Sequence, residues 1–396
     1  MKRKEDIFMK IMYISNTDDK YGAPRSMIEL IINLKENYGI EPIVLTSKKN
    51  NINRICDQQG IENYVTYHRN YMISKCESKL KNITKRIIRG TQYIIGNFLS
   101  NYIIKKKIDM SGIDIIHTNT TIIDLGQKLS KKYNITHVQH LREFGDVDYS
   151  YVPIFRKNYI NDMNNNVNFF IAISNAVKEC WIKKGIDKNK IKVIYNGINE
   201  STIKYKENYN DTKLNIIFTG NITKTKGQYQ LIEALHKLDK KYLKQINVDF
   251  YGDGKKEYLQ NIKNLVHLYE LEDNIKFKGF SNEIPNLLHK YNVGIVCSKS
   301  EGFGRVTVEY MIAGLCVIAS NTGANIELIK HRKNGYLYNY NQYESLNEYL
   351  IEICNNRKQI ELIGKEARKD ALGKYVSSIN VENVHGLYKI AKEERS

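Results

Sequence analysis

The sequence predicts an α/β fold of two successive Rossmann-like units, each a parallel sheet with helices on both faces. Three observations predict it. Short apolar runs alternate with amphipathic helical stretches; the alternation passes through a polar stretch and then starts again; and 396 residues leave room for two domains of roughly 100–200 residues each. Strand–helix alternation implies parallel neighbours, because a parallel pair needs a crossover and a helix supplies it. Ligands of such sheets bind beyond the carboxyl ends of the strands. Function is therefore sought in the loops that follow strands, with the two units expected to face a cleft.

In the first unit, residues 11–15 (IMYIS) read as a strand and residues 26–37 as a helix, with Met27, Leu30, Ile31 and Leu34 on one face. Strands follow at 43–46, 113–117, 136–140 and 168–173. Ser174 reads as the N-cap of a helix reaching about residue 184. Residues 192–195 form one more strand before the Asn196-Gly197 turn. The polar stretch near 199–212 is the expected linker. The second unit opens with a strand at 214–219 and a helix after Gly227 that carries Leu231, Leu235 and Leu238. Strands at 248–251, 275–278, 293–297 and 316–319 complete it. The expected domains are 1–200 and 201–375, with a C-terminal helix in 376–396 packing back toward the first domain.

With 42% hydrophobic residues the chain can bury sizeable cores, and its formal net charge of +18 favours polyanionic partners. No motif that reads nucleic acid accompanies the charge, so nucleic acid is not an expected partner. The six cysteines have no paired spacing and read as reduced thiols rather than a disulfide or zinc framework. No apolar run approaches the ~20 residues that span a bilayer, and the start MKRKEDIF lacks the apolar core of a signal peptide. The expected location is the cytoplasm, with docking on the inner face of the cell membrane as a further possibility.

That possibility comes from residues 75–107. Leu80, Ile83, Ile87, Ile88, Ile94, Ile95, Phe98, Leu99, Tyr102 and Ile103 recur there at three- and four-residue steps, among Lys79, Lys81, Lys85, Arg86, Arg89 and Lys105, Lys106 and Lys107. One reading is a helix or two packed on the first sheet with a solvated basic face. The other is an interfacial helix drawn to anionic lipid.

Residues 300–329, SEGFGRVTVEYMIAGLCVIASNTGANIELI, carry the densest chemistry. Glu301 and Glu309 are separated by seven residues, and Gly302 and Gly304 stand beside the first glutamate. A buried strand, a glycine loop and a helix from Arg305 ended by Gly314 would aim backbone N–H groups at a ligand, and such an end attracts phosphate. Glu301 could then accept bonds from sugar-like hydroxyls, and Glu309 could hold a ribose diol. The plainer alternative is an Arg305–Glu309 ion pair one turn apart.

This stretch resembles the Glu–seven residues–Glu signature of family-4 retaining glycosyltransferases of the GT-B fold, and CVIASNTGANIELI continues the likeness. So do AISNAVKE and KVIYNGI within 171–198, GNITKTKG at 220–227, YGDG at 251–254 and KGF at 278–280. The resemblance is dense over 170–340 and thin over 1–140. It implies a nucleotide diphosphate sugar donor, UDP- or GDP-linked, with Glu309 on the ribose. Glu301 and the backbone of Phe303 and Gly304 would hold the transferred sugar, and Lys226 the pyrophosphate. Gly302, Arg305, Gly220, Asn221 and Phe280 fall within the same donor-binding motifs. Tyr21-Gly22-Ala23 is similar to the family's glycine pair after the first strand, with Gly22 matching and Ala23 departing. His140 matches the active-site histidine, and Arg142 beside it could meet an acceptor phosphate; His117 rests on weaker grounds. Asn221 stands where the family usually has Arg, so Arg305 or another base would supply that charge, or leaving-group stabilisation is weaker. No metal signature is evident, Asp18-Asp19 and Asp146/Asp148 included. The resemblance thus implies metal-independent transfer to a glycan or lipid-linked acceptor in bacterial surface polysaccharide synthesis. The alternative is a catalytically inert GT-B partner or chaperone of another glycosyltransferase.

Overall fold

The structure is a computed structural model that describes residues 8–16, 22–75, 78–145, 151–155 and 158–394. It divides into two compact units, Met1–Gly197 with Ser378–Ser396, and Ile198–Ser377. The first division thus falls three residues before the expected 200/201 boundary.

Among its described residues the first unit holds nine strands: β1 (Lys10–Ser15), β2 (Glu41–Thr46), β3 (Glu62–Val65), β4 (Met72–Ser74), β5 (Ile115–Thr118), β6 (Thr136–Leu141), β7 (Tyr151–Pro153), β8 (Phe169–Ala172) and β9 (Ile191–Val193). Seven form one sheet in the order β3-β2-β1-β5-β6-β8-β9, and every pair is parallel. β4 and β7 make a separate antiparallel pair. Strand β1 is apolar at successive positions because both its faces are covered. Ile11 and Tyr13 point into one core with Met27, Ile31 and Leu34 of the helix Gly22–Tyr38. Met12 and Ile14 point into the other with Ile43, Leu45, Ile116 and Ile104. The helix Ser377–Glu393 adds Val384, Leu387 and Tyr388 to the first of these cores, so the last helix of the chain belongs to the first unit's hydrophobic interior.

The second unit repeats the plan with β10 (Leu214–Thr219), β11 (Ile246–Tyr251), β12 (Ile275–Gly279), β13 (Val293–Val296), β14 (Cys316–Ser320) and β15 (Tyr336–Tyr338). Their order is β12-β11-β10-β13-β14-β15, all parallel. Leu231 and Leu235 of the helix Gln228–His236 pack with Ile216, Val248 and Ile295. Strands β3, β4, β7 and β15 lie outside the strands read from sequence; each has three or four residues, too short for a period to declare itself. The strand expected at 192–195 is Ile191–Val193.

Residues 75–107 match the first of the two readings only in part: Tyr93 and Ile104 enter the core with Met12 and Ile14. They contain one continuous helix, Lys79–Lys107, but Leu80, Ile83, Ile87, Ile88, Ile94, Ile95, Phe98, Leu99 and Tyr102 are all exposed rather than packed on the sheet. No helix among the described residues is long and apolar enough to cross a membrane. The five described cysteines are free; Cys76 lies outside the described residues.

Candidate functional site

In the second unit, two strand ends and one helix start carry the charged groups. The loop after β10 holds Gly220, Asn221 and Lys226; the loop after β13 holds Ser298, Glu301 and Gly304. Lys299 N–H donates to Thr225 O at 2.8 Å, which ties one loop to the other. The Lys226 ammonium is thereby set against Glu301, and the two form an ion pair. Ser298 Oγ donates to the same carboxylate oxygen, Oε1, at 2.7 Å. Both contacts fall on Oε1, and neither involves Oε2.

The backbone of Glu301 is held as firmly as its side chain. Ala324 N–H donates to Glu301 O at 2.8 Å. Gly323 lies in the left-handed region at φ 53°, where a Cβ would stand 2.2 Å from that same oxygen, so only glycine fits. Gly304 is also left-handed, at φ 79°, and caps the helix Arg305–Ile312 without a side-chain hydrogen bond to the first turn. The positive end of a helix dipole thus opens beside the Glu301 loop. Tyr310, fully buried on that helix, accepts from Thr219 N–H at 2.8 Å and fixes the helix to the end of β10.

On the helix, Arg305 Nε donates to Glu309 Oε1 at 3.0 Å. The plain ion pair read from the spacing therefore forms. Both side chains stay partly accessible, at 19% and 13%, so Glu309 is oriented by Arg305 rather than sealed off. Phe303 is buried and packs edge-on to Tyr375, ring centroids 6.1 Å apart. Its side chain anchors the loop, which suits a role carried by its backbone. Gly302 is half-buried. Asn221 is exposed, and its carbonyl accepts from Gln228 Nε2 at 3.1 Å. Gly220 adopts φ 137°. Phe280, just past β12, is 67% exposed.

In the first unit, His140 lies on β6 and is buried. Its Nδ1 is 2.6 Å from His117 Nε2, and His117 Nδ1 meets the Tyr388 hydroxyl. The two imidazoles stack at a centroid distance of 4.7 Å. The Arg142 guanidinium also approaches His140 Nδ1, at 3.5 Å. Since Arg only donates, Nδ1 of His140 is an acceptor. His117 Nε2 then carries the proton given to it and the hydrogen of His140 sits on Nε2, while the Tyr388 hydroxyl meets both His117 Nδ1 and, at 3.4 Å, the Tyr13 hydroxyl. Burial, then the neighbouring Arg142 charge, hold both histidines well below the usual imidazole range, so both rings are neutral near pH 7. A neutral His140 with Nε2–H is a hydrogen-bond donor.

Arg142 is buried, and its Nε donates to Asn119 O at 3.1 Å and Asn119 Oδ1 at 2.8 Å, while Nη1 donates to Asn196 Oδ1 at 2.7 Å. These contacts hold its guanidinium beside His140. Gly22 begins the helix Gly22–Tyr38, and a Cβ there would meet nothing within 4 Å. Tyr21, Asp18, Asp19, Asp146 and Asp148 lie outside the described residues. Sequence reasoning missed Ser298 and Tyr388, and it gave Asn119 and Asn196 no part in holding Arg142. The first is a short polar residue three positions from Glu301. Tyr388 is 271 residues from its histidine, and no local signal reaches that far.

A family model described as "Glycosyl transferases group 1" matches residues 199–370, and one described as "Glycosyltransferase Family 4" matches 22–202. An uncharacterized glycosyltransferase of Methanocaldococcus jannaschii is 29% identical over 289 residues, 71% of this chain and 76% of that protein. The poly(ribitol-phosphate) alpha-N-acetylglucosaminyltransferase of Staphylococcus aureus is 21% identical over 379 residues, 94% of this chain and 72% of that one. Among solved structures, Anabaena HepE in complex with UDP and glucose superposes with a TM-score of 0.77 at 21% identity, covering 96% of this chain and 100% of that chain.

Proposed function

Because the chain belongs to the family-4-like glycosyltransferases of the GT-B fold, we propose that it transfers a sugar with retention from a nucleotide diphosphate sugar, UDP- or GDP-linked. The acceptor in this reading is a glycan or lipid-linked glycan of bacterial surface polysaccharide. The observation that carries it is the pairing of Lys226 with Glu301 at two strand ends, beside a helix start capped by Gly304. The named activity of the S. aureus relative, on a poly(ribitol-phosphate) acceptor, supports the acceptor class.

Each group has a task in this reading. Glu309, steadied by Arg305, accepts from the ribose diol. Glu301 offers Oε2 to hydroxyls of the transferred sugar while Lys226 and Ser298 hold Oε1. As the bond from C1 to the diphosphate oxygen breaks, negative charge grows on that oxygen. Lys226, Arg305 and the N–H groups of the helix start meet it without a divalent ion; such preorganised donors are worth most where charge develops. The acceptor oxygen bonds to C1 on the face the diphosphate leaves, and its proton passes to the departing phosphate oxygen. Atoms and charges balance with no enzyme nucleophile. His140, neutral, donates from Nε2 to a hydroxyl of the donor sugar.

The test is release of nucleoside diphosphate from a panel of UDP- and GDP-sugars in the presence of EDTA, followed by NMR of the product's anomeric carbon. Turnover of one donor with the anomeric configuration kept is the expected result. Inversion, or no turnover of any donor with lipid-linked and free glycan acceptors supplied, would overturn the reading.

A further inference from the structure

The helix Lys79–Lys107 is amphipathic in reverse. Its inward seam is Gly90, Tyr93, Gly96, Ser100 and Ile104, small or polar except at Ile104 and the Tyr93 ring. A Cβ on Gly90 would stand 2.5 Å from the Phe155 ring, and one on Gly96 2.6 Å from Tyr67 O. Ser100 Oγ donates to Thr66 O at 2.7 Å, and buried Tyr93 pairs with Asp124. These contacts fix which side faces the protein. At 100° per residue, the opposite side is then a stripe of Leu80, Ile83, Ile87, Ile94, Ile95 and Phe98, between 55% and 78% exposed. From Leu80 to Tyr102 the stripe runs about 33 Å at 1.5 Å per residue. Phe155, 61% exposed, extends it sideways. A surface this long and apolar on a water-exposed helix marks an interaction site.

Charge decides what covers it. The helix carries eight basic residues and no acidic one. A second copy laid against the stripe would bring like charges together, so self-association is disfavoured. Lys81, Lys105 and Lys106, all exposed, edge the stripe. An apolar stripe edged by cations matches a phospholipid surface: acyl chains for the stripe, phosphates for the cations. We infer that this helix lies in the interface of an anionic membrane, its outward stripe among the acyl chains and its basic edge on the headgroup phosphates. The inference does not rest on the transferase reading.

Sedimentation of the full chain with vesicles tests it, because the assay reads binding and not turnover. The probes are phosphatidylcholine alone and phosphatidylcholine mixed with phosphatidylglycerol. Binding is expected only to the second, and it should fall as salt screens the charges. The triple variant Ile87→Ser, Ile95→Ser, Phe98→Ser should lose binding while keeping its melting temperature, since all three side chains are exposed. Lys81→Gln, Lys105→Gln and Lys106→Gln should each weaken partitioning by about fivefold. Three outcomes overturn the inference: no vesicle binding at low salt, binding indifferent to phosphatidylglycerol, or a concentration-dependent dimer that the triple variant abolishes.

Discussion

The two units share one sheet plan but arm their strand ends in opposite ways. In the second unit the working groups are charged and still partly accessible to water: Lys226 on Glu301, and Arg305 on Glu309. In the first they are neutral and buried: His140 on His117 on Tyr388, braced by Arg142. The difference is a difference of solvent. Charged pairs kept near water retain their ionisation at modest desolvation cost, and so suit a partner that carries phosphate. Imidazoles taken out of water lose their charge but gain a fixed tautomer, which suits directional hydrogen bonding to a hydroxyl.

The comparison breaks most visibly at Lys226. If the charged unit meets the leaving diphosphate, Lys226→Ala should lower kcat by about 10²–10³ with a smaller change in donor affinity. Steady-state kinetics on the donor found above checks this. A normal kcat would move the charge to Arg305 and leave Lys226 as a partner that only orients Glu301.

Acid should separate the units next. Four first-unit histidines, His68, His117, His137 and His140, have their folded pKa depressed by burial, His68 and His137 to about 4. A base whose folded pKa is lowered binds more protons when unfolded. Its stabilising effect is therefore present above the unfolded value of about 6.5 and is lost as pH falls toward the folded value. For His68 and His137 the loss approaches roughly 3 kcal/mol each by about pH 4. In the second unit burial lowers the pKa of His331, which is an exposed residue. Hydrogen exchange followed from pH 7 to pH 4.5 should show the first unit opening before the second. Simultaneous opening would mean that the units unfold as one.

The smallest effects sharpen the contrast of roles. Glu309→Ala should weaken nucleotide-sugar binding by about 1.5–3 kcal/mol, the worth of hydrogen bonds to a charged acceptor. Tyr388→Phe should leave that affinity alone and cost about 1–2 kcal/mol of stability by removing the hydroxyl that His117 Nδ1 meets. It should also release the His140 tautomer, seen as a changed ¹⁵N shift of the ring. Calorimetry with a nucleotide sugar reads the first. An unchanged Glu309→Ala affinity would return that residue to a helix-face ion pair.

Much of this was legible in sequence because it is local. Alternating apolar runs set the strands of both sheets, since a buried parallel strand needs side chains that tolerate apolar surroundings on each face. The Ser174 cap and the Gly304 and Gly314 ends of one helix were readable from residue type, because few residues satisfy those backbone positions. The Glu301–Glu309 spacing carried the donor motif for the same reason: one loop and one helix hold both. Only tertiary structure could decide the rest. Whether Glu309 sits beside Arg305 or apart from it depended on rotamers. That Arg142 is buried beneath Asn119 and Asn196 depended on two other loops. The Tyr388–His117 contact depended on the last helix entering the first unit's core, a matter of packing and not of neighbouring residues. The period of residues 79–107 revealed an amphipathic helix but not which face turns inward. Gly96 and Ser100 won that contest because only small side chains let the helix lie close to the Thr66 and Tyr67 carbonyls, with Tyr93 and Ile104 following them into the core, and the apolar stripe was left facing out.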